Sequence, residues 1–255
     1  TSAVYDSTGL FRTHFYKTRF TLDFAQAYYA FDTRYGGQGM AYFLFSDILG
    51  DHKLQLGTEM VVDLQRSDYF LLYRLLPYKI DWNFAFYHLA YQQPPWYPDP
   101  KLYQNVGNSI GASKPLSRFT RIDAGFDLNH IVKSRVSTLY DERGYAYDYD
   151  INHISSFTTF IPFLKYTWDN ALWSYIHPVE GFRYYVKYKT SPGINERSLT
   201  FHSATMDVRK YHRLFNGISI AGRLFGGMNW GANAQKFRLG GIPWLFSSDR
   251  YSDRY

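Results

Sequence analysis

The most constraining feature of this chain is a period-two alternation of apolar and fully charged residues. In Tyr16-Lys17-Thr18-Arg19-Phe20-Thr21-Leu22-Asp23-Phe24 the even positions are mostly apolar, while Lys17, Arg19, Thr21 and Asp23 hold the odd ones. Leu54, Leu56, Thr58, Met60, Val62 and Leu64 alternate with Gln55, Gly57, Glu59, Asp63 and Gln65, with Val61 as the exception. Ile80, Trp82, Phe84 and Phe86 alternate with Asp81, Asn83 and Ala85, and Thr120 to Leu128 alternate with Arg121, Asp123 and Asp127. Successive strand residues point to opposite faces, so each segment becomes a strand with one greasy and one charged side. A soluble sandwich needs an inner face free of charge, whereas a sheet with lipid on one side and a wet lumen on the other accepts this pattern.

Composition narrows the alternatives. The 255 residues include 6 Trp, 25 Tyr and 21 Phe, too many aromatics for a disordered chain. There is no Cys, hence no disulfide scaffold. No run approaches the ~18 apolar residues that a membrane-spanning helix requires, and Ala41-Tyr42-Phe43-Leu44-Phe45 is among the longest. Tyr and Trp suit a membrane interface, where one end of the ring is apolar and the other wet. The net charge of +6 fits basic side chains lining a wet lumen, and is compatible with an anionic lipid surface or a polyanionic ligand. The fold expectation is all-β, an antiparallel transmembrane β-barrel; a soluble antiparallel sheet with one solvated face is the competing reading.

Strand-like runs number about eleven. They include 40–45, 69–76, 155–167, 181–190, 198–210 and 217–227. Gln92 to Pro100 holds four prolines and reads as a loop reaching to about residue 105, and the polar, Tyr-rich stretch 134–152 reads as a second long loop. Short turns such as Arg66-Ser67-Asp68 would alternate with these loops, as in outer-membrane barrels. Gly36-Gly37-Gln38-Gly39 reads as a turn opening a strand.

Motifs for bond chemistry fail on context. Gly107-Asn108-Ser109-Ile110-Gly111 fits a nucleophile elbow by spelling, but Pro115 follows where a helix should start. Asp148-Tyr149-Asp150-Ile151-Asn152 opens like a calcium loop yet has His153 at the sixth position and Leu164 at the twelfth. The eight histidines form no zinc-binding pair. Basic and aromatic residues fall on alternating faces, which argues against nucleic acid. The expectation is no enzyme, no cofactor and no metal.

The C-terminal part carries an ordered set of short motifs: Asp169-Asn170, Pro178 with Gly181, Asp207 with Arg209 and Tyr211, and Leu239-Gly240-Gly241. This order resembles the barrel of the bacterial surface antigen superfamily, which includes BAM-type outer-membrane insertases and two-partner secretion pores. Phe45-Ser46-Asp47-Ile48-Leu49-Gly50-Asp51-His52 resembles a turn of members whose barrel follows a TolB-like propeller. The resemblance implies a sixteen-stranded barrel in the bacterial outer membrane that translocates or assembles protein or lipid. Its partners would be outer-membrane lipid and other envelope proteins. The implied turn and lumen-loop residues are Asp169, Asn170, Pro178, Gly181, Leu239, Gly240, Gly241 and Arg250. The Arg-Gly-Tyr or Arg-Gly-Phe tripeptide that the family carries shortly after Leu-Gly-Gly is missing from that place; Arg250-Tyr251 is the nearest match there. On this reading residues 1–255 form one barrel domain that is incomplete at its C-terminal end. The alternative role is a non-transporting barrel that anchors or scaffolds a larger complex.

Overall fold

The computed structural model describes residues 16–32, 36–61, 66–93, 99–140, 146–194, 198–215, 217–234 and 237. They form one antiparallel meander. Its strands are β1 (Phe20–Asp32), β2 (Gly36–Asp47), β3 (His52–Val61), β4 (Asp68–Leu75), β5 (Asp81–Gln92), β6 (Lys101–Pro115), β7 (Thr120–Tyr140) and β8 (Ala146–Asp169). A two-residue β9 (Leu172–Trp173) precedes β10 (Pro178–Pro192), β11 (Thr200–Phe215) and β12 (Ile218–Trp230). Every strand but β9 lies beside its neighbour in chain order, with β8 pairing directly to β10. Among the described residues β1 and β12 are the outermost strands. Strands β2, β3 and β5 hold 12, 10 and 12 residues, enough for a tilted strand to cross a bilayer, which takes ~9–11 residues. A continuous ladder satisfies the backbone groups that would otherwise each cost several kcal/mol in hydrocarbon.

The register sorts the side chains into two faces. Leu54, Tyr73, Phe84, Ile110, Phe126 and Pro162 form one continuous cross-strand row, and Trp168, Tyr184, Val208 and Leu224 form another. These rows lie on the apolar face, where β5 from Trp82 to Ala90, β7 from Ile122 to His130 and β10 from Phe182 to Thr190 carry no charge. Rings gather along the edge of this face near residues 52, 73, 84, 168 and 184. His52 stacks on Tyr73 and Tyr73 on Phe84, while Trp168 contacts Phe119, Phe182 and Tyr184. A second group, Tyr188, His202 and Trp230, stacks toward the opposite edge.

The structure corrects several sequence expectations. In β1 the register shifts between Leu22 and Phe24, so Asp23 is an extra residue and Phe24 falls on the face of Thr21. A bulge of this kind resets the alternation, which no period count detects. The segment 134–152 is mostly hairpin: β7 and β8 pair continuously out to Leu139 and Asp148, and Tyr140 pairs with Ala146. Its polarity does not mark the absence of a strand, since the backbone pairs whatever the side chains. The Asp148–Asn152 stretch therefore lies in β8. The loop expected over 92–105 contracts to 93–100, because β5 and β6 pair out to Gln92 and Leu102. Gly36, Gly37 and Gly39 begin β2 and do not form a turn. A Cβ on Gly37 would meet the Tyr29 hydroxyl at 2.7 Å, so the missing side chain makes room for that ring.

The connections 48–51, 76–80, 116–119 and 216–217 share one end of the sheet, and 33–35, 62–67, 93–100, 141–145 and 193–199 share the other. Arg66-Ser67-Asp68 thus sits at the same end as the Pro-rich loop, and Asp68 already opens β4. At the first end, Asp47 Oδ1 accepts from the His52 amide at 2.9 Å, and the Gly50 amide donates to the Asp47 carbonyl at 3.0 Å. Gly50 has φ 73°, a left-handed conformation that favours glycine.

Candidate functional site

The charged face is the candidate site. On its β7–β12 part three carboxylates each pair with at least one cation from an adjacent strand. Asp207 is the most enclosed, with 2% of its side chain exposed. Arg209 donates to it through Nε at 2.8 Å and Nη2 at 3.1 Å. Arg223, on β12, donates through Nε at 2.9 Å and Nη2 at 2.6 Å. Forked guanidinium–carboxylate bonds are the strong members of their class, and here one carboxylate clamps two strands. Asp123 accepts from the Ser113 hydroxyl and from Arg121 Nε at 3.0 Å, with Lys165 Nζ at 3.8 Å, so it ties β6, β7 and β8 together. Asp169 meets Arg183 Nε at 3.4 Å across β8 and β10.

Lysines of this wall also rest on rings. Lys165 lies 5.0 Å from the Tyr185 ring centre, Lys187 5.0 Å from that of Phe163, and Lys189 5.8 Å from that of Phe201. Ring quadrupoles attract cations within ~6 Å. The register places Arg183, Arg209 and Arg223 directly opposite one another on β10, β11 and β12, and Lys165 opposite Lys187.

The same face is built differently on β1–β6. Phe24, Tyr42 and Phe70 form a chain of ring contacts at 6.1 Å each. Phe70 covers Gly57 and the Tyr87 ring covers Gly107; a Cβ at either glycine would collide with the ring. The Tyr87 hydroxyl then reaches over Gly107 to donate to Asn129 Oδ1 at 2.6 Å. An aromatic laid over a cross-strand glycine pins the register.

The predicted turn residues come together in part. The Asn170 amide donates to the Phe182 carbonyl at 3.0 Å, and Asn170 Oδ1 accepts from the Phe182 amide at 2.7 Å. Asp169 Oδ1 accepts from the Ala171 amide at 3.0 Å, closing the turn. Gly181 has φ 112°, and a Cβ there would meet the Asn170 carbonyl oxygen at 2.6 Å and Ala171 Cα at 2.8 Å, so both conformation and space demand glycine. Pro178 opens β10 and pairs with Trp173, with an irregularity before Glu180. Leu239, Gly240, Gly241 and Arg250 lie outside the described residues. The motif Asp207, Arg209, Tyr211 is in place on β11, but its partner Arg223 carried no signal in the sequence, since sixteen positions separate it from Asp207 and only the β11–β12 register joins them. Tyr87 and Asn129 escaped notice for the same reason.

Outside the sheet proper, Asp99 fastens the 93–100 loop to β7. Its Oδ1 accepts from Arg135 Nε at 2.8 Å, with Lys101 Nζ at 3.6 Å, while the Val136 amide donates to the Pro100 carbonyl at 2.9 Å. The Arg135 hydrogen bond, helped by the charges of Arg135 and Lys101, holds the Asp99 carboxyl below the usual carboxylate range. Among the described residues no three His, Asp or Glu side chains converge as metal ligands would.

No family model matches the sequence, and no curated protein sequence does. Among solved structures, the fold is similar to that of BamA from Haemophilus ducreyi lacking POTRA domains 1–3, with a TM-score of 0.55 and 13% identity. The match covers 86% of this chain and 43% of that one, so the chain spans less than half the length of that structure. The antiparallel meander, the apolar face and this likeness together make the fold all-β, of the transmembrane β-barrel class found in BamA.

Proposed function

We propose that the chain forms the wall of a bacterial outer-membrane β-barrel that takes part in translocating or assembling protein or lipid at that membrane. The apolar face meets lipid, and the face bearing Asp123, Asp169 and Asp207 with their cations lines the lumen. The single observation that carries this reading is the coexistence of the two faces on one uninterrupted sheet, the apolar one edged by rings and the other stitched by ion pairs. The likeness in fold to BamA and the motif order from Asp169 to Asp207 support the role in assembly. The role requires no bond chemistry, since a hydrated, charged lumen and its loops can gate passage. Partners would be outer-membrane lipid and other envelope proteins.

The test is reconstitution of the full chain into lipid vesicles and planar bilayers. Heat-modifiable gel mobility is expected for the folded barrel, together with single-channel conductance or accelerated insertion of an unfolded outer-membrane protein supplied from outside. A heat-modifiable barrel that is silent in both assays would shift the role to a membrane anchor or scaffold. A chain that folds in buffer without detergent would overturn the barrel itself.

A further inference from the structure

Between β8 and β10 the chain makes a side hairpin in place of the short turns found elsewhere at this end of the sheet. The strand β9 pairs only with the start of β10, through Trp173 opposite Pro178 and Leu172 opposite Glu180. The Ser174 amide closes the tip by donating to the His177 carbonyl at 2.9 Å. The base is fixed by the bonds between Asn170 and Phe182 and by Gly181, and Val179 is buried there. The tip is uncovered: Leu172, Trp173 and Ile176 are 59%, 62% and 87% exposed, and Tyr175 fully so. No Asp, Glu, Lys or Arg occurs from Ala171 to Val179. Single exposed apolar residues need no explanation, whereas a contiguous group at a protruding tip marks a contact surface.

We propose that this hairpin is a foot that seats in the phospholipid leaflet at the turn end of the barrel, outside the strand wall itself. The inference rests on the barrel reading above, which makes the apolar face the lipid face. The Asp169 amide donates to the Phe119 carbonyl at 2.8 Å, so the hairpin stands beside the 116–119 turn. There Phe119 meets Trp168, and Trp168 meets Phe182 and Tyr184, so the ring cluster of the apolar face runs to the hairpin base. Trp and Tyr without neighbouring charge suit the boundary between headgroups and hydrocarbon. Lys114 and Lys210 stand on the apolar face at its turn-end rim, opposite Ile122 and Phe182, and Arg118 lies exposed in the turn. Arg183 is already paired with Asp169, and Glu180 is the hairpin's own acid, so the fringe beside the hairpin is net positive. Such long side chains reach headgroup phosphates while their stems lie on apolar surface. The tip exposes about 600 Å², taking ~150–250 Å² for an aromatic side chain. That is less than the ~800 Å² per partner of a stable protein complex, and a fluid leaflet needs no such matched surface.

The sequence has no Cys, so Tyr175→Cys gives the full chain a single attachment point for an environment-sensitive fluorophore. The labelled chain is folded into vesicles of phosphatidylcholine and phosphatidylglycerol, and heat-modifiable gel mobility is checked on each sample. Nitroxide-bearing phosphatidylcholine is expected to quench the fluorophore about twofold or more, and a nitroxide near the headgroup more than one deep in the acyl chain, as for a segment seated ~5–10 Å into the interface. Trp173→Ser with Ile176→Ser should abolish this quenching, open the label to aqueous iodide and leave the heat-modifiable band unchanged. A heat-modifiable chain whose label is open to iodide and untouched by nitroxide lipid overturns the proposal while leaving the barrel standing. A label shielded from iodide but silent to nitroxide lipid also overturns it, assigning the tip to a protein surface such as a second copy. Lipid quenching that the two serine substitutions leave unchanged overturns it as well. A chain without heat-modifiable mobility removes the barrel reading and the foot with it.

Discussion

The β1–β6 and β7–β12 parts of the sheet share one apolar face and hold their other face in opposite ways. On β1–β6 the polar side is fastened by rings: Phe24, Tyr42 and Phe70 in contact, Phe70 over Gly57, Tyr87 over Gly107. On β7–β12 it is fastened by charge: Asp123, Asp169 and Asp207, each paired with a cation of an adjacent strand. Ring-on-glycine contacts depend on shape and are indifferent to salt and pH. Ion pairs in a wet lumen are directional and strong only while the ions stay paired and enclosed. A wall built from the two together has a passive stretch and an electrically active stretch.

The sharpest way to break this contrast is to remove the enclosed carboxylate. Asp207→Ala leaves Arg209 and Arg223 facing one another. Breaking a buried pair costs roughly 3–5 kcal/mol, and the part-exposed guanidiniums reduce that to about 2–3 kcal/mol. Urea unfolding in lipid vesicles, followed by tryptophan fluorescence, should show this loss; a change under ~0.5 kcal/mol would mean the cluster is not holding β12. Next in size is Gly107→Ala. Its methyl group must displace Tyr87 and the Asn129 side chain it meets, an overpacking cost of about 1–3 kcal/mol. Tyr87→Ala in the same background should recover part of that loss, and no recovery would show that the ring does not lie over the glycine.

Salt tests the two regions against each other. Raising NaCl to 1 M shortens the Debye length to ~3 Å. Amide hydrogen exchange is then expected to quicken in β10–β12 and to stay unchanged in β3–β6; uniform behaviour would erase the distinction. The smallest effect concerns the loop clasp. The Asp99 carboxyl is held below its ordinary value when folded, so its contribution is present above the unfolded value of about 3.9 and is lost as pH falls through the folded one. Exchange protection at the Val136 amide should therefore persist at pH 5 and drop in the strongly acidic range, while Asp99→Asn loses the pH dependence.

Much of the fold was legible because a strand's two faces alternate residue by residue. The alternations from Lys53, over 80–86 and over 120–128 mark β3, β5 and β7, and β10 and β12 begin and end close to the runs at 181–190 and 217–227. The failures have physical causes. The extra residue at Asp23 inverts the phase without altering composition. The 134–152 hairpin is polar, and backbone pairing does not depend on apolar side chains, so polarity said nothing about it. For the candidate site, Asp169, Asn170 and Gly181 were found through a resemblance in motif order, and the turn they close shows why those residue types stand there. Arg223 was not, because any arginine on any strand looks alike until its neighbour is known.

By itself, the sequence determined that the chain makes strands with one greasy and one charged side, since alternation is a local property of each segment. It also determined the turns at Asp47–Gly50 and Asp169–Gly181, where glycine and short polar side chains meet local backbone needs. Only the tertiary structure decided which charges share a carboxylate and which rings cover which glycines. Those choices depend on register, and register is set by the whole ladder of cross-strand bonds and its bulges, which no single strand contains.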